Sequence, residues 1–275
     1  MPELPEVETI ANGVDRRVRG DTILSAWFSS YKEPFNTPPS EMAPALAGQR
    51  IARVYRVGKH IVIDLTAKSG RKVTAQWLVH LGMTGRLLVS GADLPLPQHT
   101  HAVLHLDSGR ELRFVDARRF GRLALRPVEE EGLFAGPGRE PLTISAADFA
   151  ALFEGRRLAI KAALLNQSLL HGVGNIYADE SLFRAGIRPS RVAGRLKREQ
   201  LDRLRKALRT VLQSAIRAGG SSVSDYVDAD GVRGFFQIQH RVYGREGLPC
   251  RVCGSPIRRI VLAGRGTHLC PMCQK

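Results

Sequence analysis

The chain begins MPELPEVE at residues 1–8, and the apolar spacing that follows predicts a helix over Val7–Val18. Gly20 predicts the end of that helix. The prolines restrict the backbone at the entry, and Glu6 and Glu8 favour the positive end of the helix dipole. In this interpretation, the first eight residues are a stiff, acid-capped entry to the first helix.

The same stretch supports a chemical interpretation. An initiator methionine is removed when the second residue is small, and Pro2 is such a residue. The trimmed chain would therefore begin with a secondary amine. An α-amine titrates near ~8, and a sizeable fraction is therefore uncharged and nucleophilic at neutral pH. Such an amine can attack a sugar C1′ and form a Schiff base, with Glu3 close enough to move protons. These eight residues alone leave both interpretations open.

The charge of the chain points to its partner. The 275 residues include 41 Lys and Arg against 26 Asp and Glu, which gives a formal net charge of +15 and a pI near 10.4. That excess favours a polyanion, nucleic acid before an anionic membrane. The sequence has neither an apolar run long enough to span a bilayer nor a signal-like apolar core. We expect a cytoplasmic protein with access to DNA or RNA.

Hydrophobic periodicity predicts an α+β protein of two domains. Short apolar runs from Ile23 to about Leu125 predict about seven strands in a β-sandwich or flattened barrel, with hairpin turns at residues 68–70 and 107–109. The segment 127–143, rich in Gly, Pro and Glu, indicates a linker. Four helices are predicted at residues 146–153, 159–164, 176–185 and 197–218. We therefore assign an N-terminal β-sandwich domain with a flanking helix to residues 1–130, a linker to 131–145, a helical domain to 146–236 and a cysteine-bearing hairpin to 237–275.

Two C-x-x-C pairs, Cys250/Cys253 and Cys270/Cys273, lie at the C-terminal end. This spacing is typical of one structural Zn²⁺ held by four thiolates in a closed site, and two disulfides are the alternative. Arg265 stands between two glycines in the intervening loop, where it is either a phosphate contact or a solvated charge.

Three further motifs suit a nucleic-acid surface. Gly172–Tyr177 is a glycine-rich turn before a helix, where backbone amides and Asn175 can bind a phosphate or Asn175 can simply cap the helix. Met83 and Phe120 each lie in a glycine-bounded turn, either as strand-end packing or as wedges that fill the gap left by a displaced base. Lys59 is a candidate phosphate contact or acid/base group, and the histidines at 99 and 101 are candidates for a hydrogen bond to a phosphate.

Taken together, these motifs resemble those of the bacterial formamidopyrimidine-DNA glycosylases, also called 8-oxoguanine DNA glycosylases, a family that includes endonuclease VIII. The motifs occur in the family's order at residues 1–9, 80–85, 116–121, 172–180 and 242–245 and in the C-x-x-C pairs. Membership implies a helix-two-turn-helix DNA-binding domain at 146–236, with a lesion-capping loop at 219–233, and a zinc-finger hairpin. It also implies a monomer that acts at the nucleoid on damaged double-stranded DNA, excises oxidised purines through a Schiff base and nicks the strand by β,δ-elimination.

The resemblance further implies a role for each matching residue. Pro2 is the implied nucleophile, Glu3 its neighbouring acid, Lys59 the β-elimination lysine and Arg265 the δ-elimination residue. The implied DNA contacts are His80, His99, Arg118, Arg157, Lys161 and Asn175; the void-filling and orphan-base residues are Met83, Arg118 and Phe120; the lesion-pocket residues are Glu6, Ser221, Ser222 and Tyr226; and the metal ligands are Cys250, Cys253, Cys270 and Cys273.

Two departures from the family pattern touch no reacting group: Ala117 and Ala162 stand where the family often has proline. Two other functions compete. An endonuclease-VIII-like glycosylase for oxidised pyrimidines would share the fold and Pro2, although Leu4 and the residues that follow it are more similar to the purine branch. A non-enzymatic zinc-ribbon DNA-binding protein would explain the charge and the cysteines equally well. That function gives no reason for a trimmed Pro2 to stand beside Glu3.

Overall fold

A computed structural model describes residues 1–222, 228–232 and 234–275. The chain forms two compact units: an N-terminal unit of Met1–Ala135 with Gly219–Gly234, and a C-terminal unit of Gly136–Ala218 with Phe235–Lys275. The domain boundaries proposed from the sequence stay predictions. The grouping differs from them at Gly219–Gly234, because Ser221 donates a hydrogen bond to Glu6 and Ala229 packs in the N-terminal core. Among the described residues, no helix is both long and apolar enough to cross a bilayer.

Two antiparallel four-stranded sheets form the N-terminal unit. Its strands are β1 (Ile23–Phe28), β2 (Gln49–Val57), β3 (His60–Ala67), β4 (Val73–His80), β5 (Arg86–Gly91), β6 (Thr100–Leu106), β7 (Arg110–Val115) and β8 (Arg122–Pro127); its helices are α1 (Leu4–Val18), α2 (Pro39–Leu46) and α3 (Val128–Glu131). The sheet orders are β1-β6-β7-β5 and β2-β3-β4-β8. Both sheets and α1 contribute to one buried apolar cluster, so the predicted sandwich with a flanking helix is confirmed.

Helix α1 begins at Leu4, the first residue of the helical apolar spacing and three residues before the predicted start at Val7. Pro5 fits in the first helical turn because an N–H there has no intrahelical acceptor to lose. Glu6 accepts a hydrogen bond from the Glu3 N–H, which completes the entry. Glu8 was expected to hold the helix start; instead its carboxylate pairs with Arg56 Nε at 2.6 Å.

The C-terminal unit is helical apart from one hairpin. It contains α4 (Ala146–Ala151), α5 (Ile160–Leu165), α6 (Asn175–Ala185), α7 (Arg198–Arg217), β9 (Arg258–Leu262) and β10 (Arg265–Leu269). Helix α7 buries an apolar stripe that includes Leu204, Leu208 and Leu212, while its opposite face is charged. Helix α6 is followed by Gly186, whose φ of 68° gives the left-handed cap common at helix ends.

Candidate functional site

The N-terminus is held by a buried carboxylate. Met1 is 51% exposed, whereas Pro2 and Glu3 are buried. Glu6, 2% exposed, accepts the Glu3 N–H through Oε2 at 2.9 Å and the Ser221 N–H through Oε1 at 2.7 Å. Glu6 therefore fixes the backbone next to Pro2 and ties it to the segment that begins at Gly219.

Lys59 lies in the two-residue turn between β2 and β3, where Gly58 adopts a φ of 61°. Arg56 connects this turn to α1, because its guanidinium pairs with Glu8 and also donates to the Gly58 carbonyl at 3.3 Å. His80 lies near Lys59. Burial, followed by the charges of Lys59 and Arg122, lowers the pKa of His80, so its imidazole is neutral at physiological pH. As a DNA contact, a neutral His80 would act by hydrogen bonding rather than by charge.

Met83 and Phe120 project from two turns that touch each other. Met83 is 42% exposed and Phe120 48% exposed, with the Arg118 guanidinium 4.6 Å from the centre of the Phe120 ring. A side chain at Gly82 would lie 2.4 Å from the Phe120 carbonyl carbon, so the two turns are packed backbone to backbone. The three residues assigned to the displaced-base gap thus form one contiguous group in the N-terminal unit.

Asp116 fastens these two turns together, a role that its sequence position does not reveal. It is 0% exposed, and one oxygen accepts the Thr84 hydroxyl at 2.5 Å and the Arg118 N–H at 3.2 Å. Its other oxygen accepts the Gly121 N–H at 2.8 Å. One carboxylate therefore connects the turn that carries Met83 to the turn that carries Phe120.

For the base-excision activity that the motif resemblance implies, replacing Asp116 with asparagine is expected to slow excision of a damaged base by about 10–100-fold. The amide nitrogen cannot accept a hydrogen bond, and such a loss at a buried site costs about 1–3 kcal/mol. Single-turnover excision on a lesion duplex measures the effect, with incision at a preformed abasic site expected to fall much less because no base needs to be displaced. Asp202→Asn, in an exposed pair on α7, is the matched control. Equal losses on both substrates would contradict a positioning role.

The two neighbouring histidines occupy different environments. His99 is exposed with a φ of 65°, and its carbonyl accepts the Asp116 N–H at 3.0 Å. His101 is 2% exposed and bonds to Ser29 Oγ and to the Asp116 carbonyl, both at 3.0 Å. The expectation that His101 could contact a phosphate was wrong. His99 is placed at the surface.

In the C-terminal unit, Lys161 and Asn175 converge on β10. Lys161 is 1% exposed, and its Nζ lies 2.7 Å from Asp179 Oδ1, 2.8 Å from Thr267 Oγ1 and 3.0 Å from the Gly266 carbonyl. Asn175 Nδ2 donates to the same carbonyl at 3.0 Å. An ammonium has three N–H donors, so Lys161 would have to exchange one of these partners to bind a phosphate directly. Arg157 and Arg265 are both exposed.

Asp179 is a second organising carboxylate that sequence patterns did not identify. It is 0% exposed, pairs with Lys161 and accepts the His268 N–H at 2.8 Å through its other oxygen. It therefore joins α5 and α6 to β10. The available signal was the adjacent acidic pair Asp179-Glu180 between the apolar residues of 176–183, one turn after Asn175.

Lys161→Met is expected to reduce the free energy of unfolding of the C-terminal unit by about 3–5 kcal/mol, since it leaves a buried carboxylate without its cation. Lys206→Met is the matched control, because Lys206 pairs with Asp202 while 70% exposed, and such pairs contribute about 0–1 kcal/mol. Denaturant unfolding followed by the helical circular dichroism signal measures both. Equal midpoints for the two variants would argue against a structural role of the buried pair.

The four cysteines come together as a metal site. Their sulfurs lie within 4.8 Å of one another, with 3.5 Å between Cys253 and Cys270 and 3.9 Å between Cys250 and Cys273. A disulfide needs about 2.05 Å, whereas a tetrahedron of ~2.3 Å Zn–S bonds separates sulfurs by roughly 3.8 Å. The set fits one structural Zn²⁺, which would hold the ends of the β9–β10 hairpin together with no open coordination position.

The predicted lesion-pocket residues are only partly described. Ser221 is bonded to Glu6, and Ser222 Oγ accepts the Gly234 N–H at 2.9 Å, which draws the two ends of the 219–234 segment together. Tyr226 lies outside the described residues.

Three family models match this chain in sequence order. Residues 1–123 match "Formamidopyrimidine-DNA glycosylase N-terminal domain", residues 137–227 match "Formamidopyrimidine-DNA glycosylase H2TH domain", and residues 247–275 match "Zinc finger found in FPG and IleRS". The formamidopyrimidine-DNA glycosylase of Solibacter usitatus is 46% identical over 275 residues, with all of both chains covered.

Solved structures agree along the whole chain. The MutM (Fpg) protein from Thermus thermophilus is 42% identical, with a TM-score of 0.85 over 99% of this chain and 98% of that one. A variant of Lactococcus lactis FPG, solved in complex with DNA that contains Fapy-dG, is 32% identical, with a TM-score of 0.89 and full coverage of both chains.

Proposed function

Because this chain belongs to the formamidopyrimidine-DNA glycosylase family, we propose that it is a bifunctional DNA glycosylase and AP lyase of base excision repair. Its substrates are oxidised purines, 8-oxoguanine and formamidopyrimidines, in double-stranded DNA. The observation that carries the proposal is the N-terminal arrangement, in which Pro2 is buried beside Glu3 and Glu6 fixes the intervening backbone. A zinc-ribbon protein that only binds DNA has no use for this arrangement.

The reaction begins with the nitrogen of Pro2, freed by removal of Met1. Its lone pair forms a bond to the sugar C1′ while the bond from C1′ to the base breaks, and the base leaves with that electron pair and takes up the proton that the Pro2 nitrogen loses. Glu3 protonates the ring oxygen of the sugar, the ring opens, and an iminium forms between Pro2 and C1′. The iminium acidifies C2′, so a base such as Lys59 can remove a proton there and expel the 3′ phosphate. A second elimination, assigned to Arg265, releases the 5′ phosphate.

Displacement of the base has its own energetic requirement. Extruding a base costs a few kcal/mol of stacking and pairing. Met83 and Phe120, held by Asp116, would enter the gap, and Arg118 would face the orphaned cytosine.

The proposal also assigns roles to the remaining site residues. The contacts to the DNA backbone are His80, His99, Arg157, Lys161 and Asn175, and the lesion pocket includes Ser221, Ser222 and Tyr226. The protein would act as a monomer in the cytoplasm, at the nucleoid.

A substrate comparison with covalent trapping tests the function. Duplexes with 8-oxoguanine opposite cytosine and with thymine glycol opposite adenine are incubated with the chain, with and without borohydride. We expect faster excision of 8-oxoguanine and a borohydride-stable adduct. A preference for thymine glycol would indicate the pyrimidine branch instead, and tight DNA binding without any adduct would indicate a binding protein.

A further inference from the structure

The C-terminal unit contains a cavity that the excision chemistry does not use. It has a volume of about 770 Å³ and lies between the last turns of α6, the C-terminal half of α7 and the segment 236–252. Its walls include the buried apolar side chains Phe183, Val211 and Phe236. Ile238 and Val252 also line it while 66% and 69% exposed. The volume is within the range of sites that enclose a small-molecule ligand, about 300–1,000 Å³, so it has room for a large side chain.

The charged groups around this cavity are mainly cations. Arg184, Arg241 and Arg251 line it and are exposed, and Arg251 donates to the Ile238 carbonyl at 3.3 Å. Glu180 is the one carboxylate among the described lining residues. It is 3% exposed, and its oxygens accept three consecutive backbone N–H groups that begin at Arg241, at 2.8–3.0 Å. The formal charges of the residues that line the cavity therefore sum to a positive value.

This cavity is distinct from the cluster assigned to the DNA backbone. Asn175 begins α6, and Arg184 lies nine residues further along it, about 13 Å away at ~1.5 Å per residue. Lys161, Asn175 and Arg265 do not line the cavity. A phosphate is bound by N–H donors and positive charge, and apolar side chains do not stabilise it. The combination of apolar walls and arginines in this cavity therefore suits another kind of ligand.

We propose that this cavity is a docking site for an acidic protein segment that carries a large apolar side chain. Recognition of this kind concentrates its free energy in a few buried anchor side chains, often aromatic, while charge complementarity at the rim selects the partner and speeds association. The apolar walls receive the anchor, and the three arginines face the acidic residues beside it. The site would bring a second protein to the glycosylase without occupying its DNA surface.

Fluorescence anisotropy with the full-length chain tests the proposal. The probe is a fluorescein-labelled peptide in which aspartates flank a single phenylalanine. Ile238→Glu places at the cavity a negative charge, which repels the aspartates of the peptide. Arg184→Glu replaces one of the cavity's cations by an anion. Each variant is expected to raise the Kd for the peptide at least ~10-fold. Replacing the aspartates by asparagine, or the phenylalanine by glycine, is expected to weaken binding similarly. Excision of 8-oxoguanine should be unchanged in both variants, which also reports that they are folded.

Matched variants separate docking from general electrostatics. Val261→Glu alters an equally exposed apolar residue outside the cavity, and Arg195→Glu makes the same charge reversal elsewhere; both should bind the peptide within about twofold of wild type. The proposal is overturned if the wild-type chain shows no saturable binding, or if cavity and control variants behave alike. It is also overturned if a single-stranded oligonucleotide displaces the peptide and loses affinity in Ile238→Glu, since the cavity would then be a nucleic-acid site.

Discussion

A chain that retains Met1 is expected to form no borohydride-stable adduct with lesion DNA and to excise 8-oxoguanine at least ~10³-fold more slowly than the trimmed chain, a loss typical of removing a nucleophile. With Met1 in place, the Pro2 nitrogen belongs to a peptide bond and has no basic lone pair. Met1 is 51% exposed and so within reach of an aminopeptidase. The same preparation, before and after methionine aminopeptidase treatment, provides a comparison in which no side chain of residues 2–275 changes.

Two measurements complete this test. Intact mass determines whether Met1 has been removed, and single-turnover kinetics with trapping reports the chemistry. Pro2→Gly with Met1 retained should also be inactive, whereas Pro2→Gly with Met1 removed presents a primary amine and should recover part of the adduct. Equal adduct yields from the retained and trimmed wild-type chains would exclude the N-terminal amine, and a lysine such as Lys59 would become the candidate nucleophile.

The elements that the sequence predicts well are those with a strong local signal. Short apolar runs predicted the strands of the sandwich, and turn residues predicted the hairpins at 68–70 and 107–109. The paired C-x-x-C motifs predicted a four-thiolate cluster, which the sulfur distances support. Helix α2, by contrast, was not predicted. It contains Pro39 and Pro44, and it exists because Pro39 occupies its first turn while Met42 and Leu46, one turn apart, are both buried.

The supporting carboxylates were not predictable, because their partners come from distant parts of the chain. Asp116 bonds to Thr84, 32 residues earlier, and Asp179 bonds to His268, 89 residues later. Glu180 accepts backbone N–H groups from residues 241–243. An acidic residue at such a position has no periodicity that reveals partners so far away in the sequence. Only the fold reveals that these carboxylates are buried. The fold also distinguishes His101, which is buried, from His99, which is exposed.

Removal of Zn²⁺ is expected to unfold the C-terminal hairpin and to reduce affinity for lesion DNA by on the order of 10²-fold. A two-stranded hairpin is marginal by itself, and structural zinc sites contribute folding free energy directly. Without β10, Lys161 and Asn175 lose the Gly266 carbonyl that both contact, and Arg265 loses its fixed position. Losing two or more polar contacts to the DNA, each contributing about 1–2 kcal/mol to binding, decreases the affinity by this factor.

Chelation of the metal and Cys270→Ala are two independent routes to the same state, and each has an internal control. Both tryptophans, Trp27 and Trp77, lie in the N-terminal unit, so their fluorescence should be unchanged while amide exchange accelerates across β9 and β10. Borohydride trapping at high protein concentration should persist, since Pro2 and Glu3 belong to the unit that remains folded. If hairpin amides and DNA affinity both survive loss of the metal, the apolar contacts around Val242 and Ile257 are sufficient to hold the hairpin, and zinc is not what maintains the DNA-binding geometry.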